Sequence, residues 1–194
     1  RDNAIAAVID ATHPFAATIS RHAEEACRRT GVPRLALVRP EWVAGPGDRW
    51  IEVDDMEAAV AAVPNGARAF LTVGRQELGP FASRADAWFL ARVIDPLEQP
   101  APNIALVAGR GPFDLDAERA LLAGHGITVV VAKNSGGGAS RPKLAAAREL
   151  GIPVILVRRP APPAGPRAAT AEEALEWLHR TLRSGRSTWT CSGS

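Results

Sequence analysis

Ile127-Thr128-Val129-Val130-Val131-Ala132-Lys133-Asn134-Ser135-Gly136-Gly137-Gly138 is the stretch on which the fold turns. Its first half is short, β-branched and unalternating, as expected of a strand buried on both faces of a parallel sheet. Its second half switches abruptly to a cation, two small polar residues and three glycines, a polar exit from the strand's carboxyl end. The same unit recurs along the chain, with apolar runs at 4–9, 35–38, 69–73, 88–94, 104–108 and 154–157. Helical patterns separate several of them: 16–29 closed by Gly31, 56–63, 115–123 closed by Gly124, and 144–150 closed by Gly151. Thr170 followed by Glu173 is a capping box for a last helix that reaches about Leu182. Alternation of this kind predicts an α/β protein with open, mostly parallel sheets, two of them. Three prolines between Asp95 and Asn103 mark the expected boundary, giving domains over 1–95 and 96–184 and a disordered tail over 185–194.

Composition narrows the function classes. At 46% hydrophobic and 23% charged residues, the 194-residue chain is globular in character and not disordered. Its apolar runs are far shorter than a membrane-spanning helix needs, and Arg1-Asp2-Asn3 does not open a secretory signal, so the chain reads as soluble and cytoplasmic with no membrane partner. Cys27 and Cys191 form no CxxC pattern, and no cluster has metal-ligand spacing, so neither a disulfide framework nor a metal site is expected. A net charge of +2 gives no argument for nucleic acid. Yet of 23 basic residues only Lys133 and Lys143 are lysines, and they flank the same glycine-rich loop.

In open α/β sheets ligands bind beyond the carboxyl ends of the strands, so the exits carry the chemistry. The first run is followed by Asp10-Ala11-Thr12-His13-Pro14-Phe15-Ala16 and the second by Arg39-Pro40. Gly74-Arg75-Gln76, Gly109-Arg110-Gly111, Lys133 to Gly138, and Arg158-Arg159-Pro160 follow four of the others. Any one arginine is accounted for as a solvated strand end. As a set, emerging on one edge of their sheet, these cations suit a ligand with several carboxylates or phosphates, because each guanidinium offers a planar fork of donors. The loop Lys133 to Gly138 is no Walker A motif, since its lysine precedes the glycines, and Pro112 breaks the GxGxxG pattern that Gly109 begins. It remains a candidate anion-binding loop, with backbone N–H groups of Ser135, Gly136 and Gly137 as donors.

Taken in order, Asp10-Ala-Thr-His-Pro-Phe-Ala16, Gly74-Arg-Gln76, Arg110-Gly-Pro-Phe113, Lys133-Asn-Ser-Gly-Gly137 with Lys143, Gly151-Ile-Pro-Val154 and Arg159-Pro160 resemble the precorrin-6A reductase family of cobalamin biosynthesis. The resemblance runs from about Ala4 to Leu182. It implies two Rossmann-like domains with the active site between them. It implies NADPH-dependent reduction, with NADH as the alternative donor, of one macrocycle double bond in precorrin-6A or its cobalt counterpart. The partner is then a small-molecule tetrapyrrole, with other corrin-pathway enzymes as further partners. On this resemblance Thr12 and His13 are the catalytic candidates, and Thr12, Gly74 and Arg75 the cofactor contacts. Arg110, Lys133, Asn134, Ser135, Gly136, Gly137 and Lys143 are the substrate contacts. Family members carry a Gly-Gly-Thr-x-Glu loop after their first strand; residues 1–194 contain none, so the expectation is a first domain incomplete at its N-terminus, with an unpaired strand edge.

Two readings from other classes stay open on the residues alone. One is a binding module for a polycarboxylate or phosphorylated ligand without catalysis. The other is an unrelated α/β enzyme acting on nucleotide sugars, which also places basic residues at strand ends.

Overall fold

The computed structural model describes residues 5–94 and 101–186. They fall into two compact units, Arg1–Pro40 with Pro160–Ser194, and Glu41–Arg159. The first unit opens with β1 (Val8–Asp10), α1 (Ala17–Thr30) and β2 (Arg34–Leu37). The second begins with β3 (Trp50–Val53), α2 (Met56–Ala62), β4 (Arg68–Thr72), α3 (Gly79–Ala82) and β5 (Trp88–Val93). It continues through β6 (Ile104–Ala108), α4 (Leu115–Gly124), β7 (Val129–Lys133), α5 (Pro142–Glu149) and β8 (Val154–Val157). β9 (Arg167–Ala168) and α6 (Ala171–Arg186) then return the chain to the first unit.

Each unit holds its own sheet, and every described strand pair is parallel. The first sheet has the order β1-β2-β9, with β1 at an edge; the second has the order β3-β8-β7-β4-β5-β6. The α/β architecture with parallel sheets is as the apolar runs predicted, whereas the domain boundary is not. β5 and β6, on either side of the proline-rich stretch, are registered neighbours from Phe89↔Ile104 to Val93↔Ala108. That stretch therefore joins two strands of one sheet instead of separating two domains; its residues 95–100 lie outside the described ones. The chain changes unit instead between Pro40 and Glu41 and between Arg159 and Pro160. The expected disordered tail also starts too early, because α6 continues to Arg186; residues 187–194 lie outside the described ones.

Local chemistry explains the element ends. Asp114 caps α4 by accepting from the N–H groups of Asp116 and Ala117 at 2.9 and 3.1 Å. The Thr170 hydroxyl accepts from the Glu173 N–H while the Glu173 carboxylate reaches back to the Ala169 N–H, at 3.2 and 2.7 Å. Gly31 closes α1 at φ 71°, a left-handed conformation that a side chain would strain. In the second sheet, Phe70, Leu71, Phe89, Leu90, Val130 and Val131 are essentially buried on the central strands. At about 1.5–3 kcal/mol for each large side chain, they hold those strands in register.

Topology selects the place for a ligand in the second unit. From β4 the chain steps outward to β5 and β6, then returns to the other side of β4 as β7 and continues outward to β8. The reversal makes β4 and β7 the switch point, and the crevice beyond their carboxyl ends is where ligands of open parallel sheets bind.

Candidate functional site

Because the second sheet is wholly parallel, the exits of β4, β6, β7 and β8 leave by the same edge. Arg75, Arg110, Lys133 and Arg158 are therefore brought to one edge of one sheet, and Arg75 and Arg110 are exposed there. Lys133 is already engaged. Its ammonium pairs with Glu77 at 2.5 Å, and the other oxygen of Glu77 accepts the Gly74 N–H at 2.7 Å. The switch point is thus tied across its two loops by a Lys133–Glu77–Gly74 chain. A Cβ at Gly74 would stand 3.1 Å from the Glu77 carboxylate, so a side chain there would oblige that carboxylate to give by a few tenths of an ångström.

The loop after β7 is built from within. Asn134 is buried, accepting from the Trp42 N–H at 2.8 Å and donating to the Trp42 carbonyl at 3.0 Å. The Trp42 indole N–H in turn donates to the Gly137 carbonyl at 2.8 Å, and Arg159 donates to the Asn134 carbonyl at 2.6 Å. Gly136 and Gly137 take φ values of 64° and 77°, which turn the loop and suit glycine alone. Asn134, expected as a substrate contact, has its amide committed to Trp42 and shapes the loop. Asn134→Ala leaves two buried backbone groups unmatched, and is expected to lower stability by about 2 kcal/mol, measured as a shift in the urea midpoint.

Beside this loop lies a cavity of about 210 Å³ lined by Thr72, Arg92, Gly109, Arg110, Phe113 and Lys143, among others. Gly109 and Gly111 wrap the Phe113 ring closely, a Cβ at either falling 3.2 or 3.4 Å from it. The ring faces the Arg92 guanidinium at 3.9 Å, and Phe70 lies on the same cation at 4.9 Å. Arg92 also pairs with Glu118 of α4 at 2.7 Å, their side chains 11% and 1% exposed. Lys143, on the first turn of α5, is only 8% exposed, with its Nζ 5.5 Å from the Trp42 ring centroid. Burial, with repulsion from Arg92 and partial relief from Glu118, pulls its ammonium down to about 8.

Arg92 and Glu118 are absent from the residues that the sequence singles out. Arg92 is hidden inside the apolar run 88–94, and the signal is the cation itself: an arginine in the middle of a buried strand needs a partner and a purpose.

In the first unit the loop after β1 is ordered by Asp10. The Thr12 hydroxyl donates to Asp10 at 2.8 Å and meets the Ser20 hydroxyl at 2.9 Å, while Arg34 pairs with the same carboxylate at 3.4 Å. Burial by itself would raise the Asp10 carboxyl; the hydrogen bonds from Thr12 and Ser20, the Thr12 N–H and the Arg34 charge together outweigh it and hold the group below its ordinary 3.8. The native state therefore binds this proton less readily than the unfolded chain. The stabilisation is present above pH 3.8 and is lost as the pH falls through the lower, folded value. Asp10→Asn is expected to flatten that acid limb in pH-dependent unfolding; an unchanged limb would show that Asp10 contributes nothing to it. Exposed His13 accepts the Phe15 N–H at Nδ1, 3.3 Å away. Among the described residues no group of three or more His, Cys, Asp or Glu could hold a metal ion, and no helix is long and apolar enough to cross a membrane.

Comparison with known proteins gives this geometry its context. A family model described as "Precorrin-6x reductase CbiJ/CobK" matches residues 1–179. A precorrin-6A reductase of Rhodobacter capsulatus is 49% identical over 174 residues, 88% of this chain and 69% of the relative. A cobalt-precorrin-6A reductase of Priestia megaterium is 30% identical over 195 residues, 94% of this chain and 76% of the relative. The solved structure of a CobK precorrin-6A reductase superposes with a TM-score of 0.87 at 47% identity, covering 91% of this chain and 71% of that one.

Proposed function

This chain belongs to the precorrin-6x reductase CbiJ/CobK family, and on that premise we propose that it reduces one double bond of metal-free precorrin-6A to give precorrin-6B, with NADPH as donor. The single observation that carries the substrate class is the cation-rich edge of the second sheet, where Arg75, Arg110 and the Arg92–Lys143 cavity gather at strand ends. A tetrapyrrole bearing acetate and propionate arms is the polyanion that such an edge holds. The metal-free substrate is favoured because identity to the relative named precorrin-6A reductase is 49%, against 30% to the one named for the cobalt form.

A dinucleotide cofactor fits the start of α1. Ala16 caps that helix without a side-chain hydrogen bond, and the first turn carries no acidic residue. Its leading N–H groups and the positive end of its dipole thus suit a phosphate oxyanion. A bound nicotinamide would supply the hydride to one carbon of the double bond, and a proton added to the other would complete the reduction. Thr12 has its hydroxyl proton committed to Asp10, so its part is to fix the loop between β1 and α1. His13, which accepts the Phe15 N–H at Nδ1, is the side chain of this loop that we place beside the reacting macrocycle. In the second unit Arg75 and Arg110 clamp carboxylates, and Lys133 with Glu77 keeps the loops after β4 and β7 at a fixed spacing.

The test is absorbance-monitored turnover of precorrin-6A and cobalt-precorrin-6A, each with NADPH and NADH. The expected result is the highest kcat/KM for precorrin-6A with NADPH. A preference for the cobalt form or for NADH would overturn that part of the assignment, and no turnover of either tetrapyrrole would overturn the reductase reading of this chain.

A further inference from the structure

We propose that Arg92 and Lys143 form a subsite for one carboxylate arm of the substrate, and that Glu118 is the residue that positions Arg92 within it. The inference rests on the reading of this protein as a reductase of a polycarboxylate macrocycle.

Lys143 carries the argument. A lysine only 8% exposed ordinarily has a carboxylate or several acceptors around its ammonium, yet Lys143 makes no hydrogen bond or ion pair among the described residues and lines the cavity instead. Arg92 is the second half. Glu118 holds a single nitrogen of its guanidinium, and the stacked rings of Phe113 and Phe70 fix its plane. Its remaining N–H groups have no protein acceptor among the described residues. One buried and one largely covered cation thus present unmatched donors around one cavity.

Charge decides which anion. Glu118 neutralises one of the two cations, so the buried group keeps a single positive charge, which matches a carboxylate better than a doubly charged phosphate. Shape agrees: the cavity of about 210 Å³ has Val73, Val93 and Phe113 among its walls, apolar surface suited to the methylenes of an acetate or propionate arm. Thr72 adds no donor, because its hydroxyl is spent on the Val131 carbonyl at 3.1 Å. Arg110, exposed at the mouth, meets the arm on its way in. Glu118 does not line the cavity. It is 1% exposed and lies behind Arg92, so it acts through that residue.

Arg92→Lys, Lys143→Met and Glu118→Gln test the assignment by steady-state kinetics. Each is expected to raise the KM for precorrin-6A roughly ten- to 100-fold, the worth of a charge-assisted contact, while the KM for NADPH holds. A rise confined to the NADPH KM would give the cavity to a cofactor phosphate, and no change in either KM would leave it without a ligand; both results overturn the proposal. A measurement independent of turnover separates this inference from the reductase reading. Propionate added to the protein is expected to raise the Lys143 titration, followed by ¹⁵N NMR of its Nζ, above its starting value of about 8, and the rise is expected to vanish in Arg92→Lys. An unmoved Lys143 resonance would sink the subsite even if precorrin-6A is turned over. A moved one alongside absent turnover would sink the reductase reading alone.

Discussion

Lys143→Met is expected to stabilise the protein by about 3 kcal/mol at pH 7, the equivalent of a lysine whose titration falls from 10.5 to about 8 on folding. The sign follows from proton uptake. Between pH 8 and 10.5 the unfolded chain holds the Lys143 proton and the native state does not, so wild-type stability rises with pH across that window. Below pH 8 the full cost of burying the charge is present. Methionine fills a similar volume without a charge and leaves Arg92–Glu118 intact. The advantage of the variant is therefore expected to be largest at pH 7 and to shrink towards pH 10, as read by urea unfolding at both values. A variant less stable than wild type at pH 7, or an advantage independent of pH, would show that burial of this ammonium is not costly. Coupled with the expected loss of precorrin-6A affinity, the result would identify Lys143 as a residue kept for ligand binding at the expense of stability.

Glu118→Leu is expected to act in the opposite direction, destabilising the protein by about 3–5 kcal/mol, because it leaves the Arg92 guanidinium in a buried strand without its counter-charge. The combined change Arg92→Met with Glu118→Leu is expected to recover most of that loss, since a well-packed apolar pair can replace a buried ion pair at little cost. Both are measurable as urea midpoints on the same day and at one pH. If the double variant is no more stable than Glu118→Leu, the loss comes from packing around α4 and not from an orphaned charge.

Much of the architecture is legible in the chain because buried parallel strands are written as local apolar runs. Residues 104–108 and 154–157 coincide with β6 and β8, and the others shift by a few residues. β3 escapes notice because it is an edge strand whose Ile51 and Glu52 are both exposed, so it shows no continuous apolar run although Trp50 packs against the core. β9 has two residues, too few for any pattern. The site is less legible, for a physical reason: its decisive contacts join residues far apart in sequence. Lys133 reads as a free cation until Glu77 is seen beside it, and Asn134 as a polar contact until Trp42 closes over it. Arg92 is invisible as a ligand residue until α4 brings Glu118 behind it. The misplaced boundary has the same origin. Prolines at 95–103 advertise a break in local structure, but only strand pairing tells a break within a sheet from a break between sheets.

The two crossings between units, after Pro40 and after Arg159, have a consequence for how the molecule is made. The first unit cannot be completed during synthesis until the whole of 41–159 has left the ribosome, because β2 waits for β9 to pair Ala36 with Arg167. If the intervening segment were still unfolded, closing so long a loop would cost roughly 4 kcal/mol in chain entropy, on the order of what a two-residue strand and one helix could return. Once it has folded, Asn134 accepts from the Trp42 N–H with its side chain and from Arg159 with its carbonyl, which brings entry and exit of the insert close together. The second unit is therefore the natural first step of assembly, and the first unit is a latecomer whose closure depends on its guest.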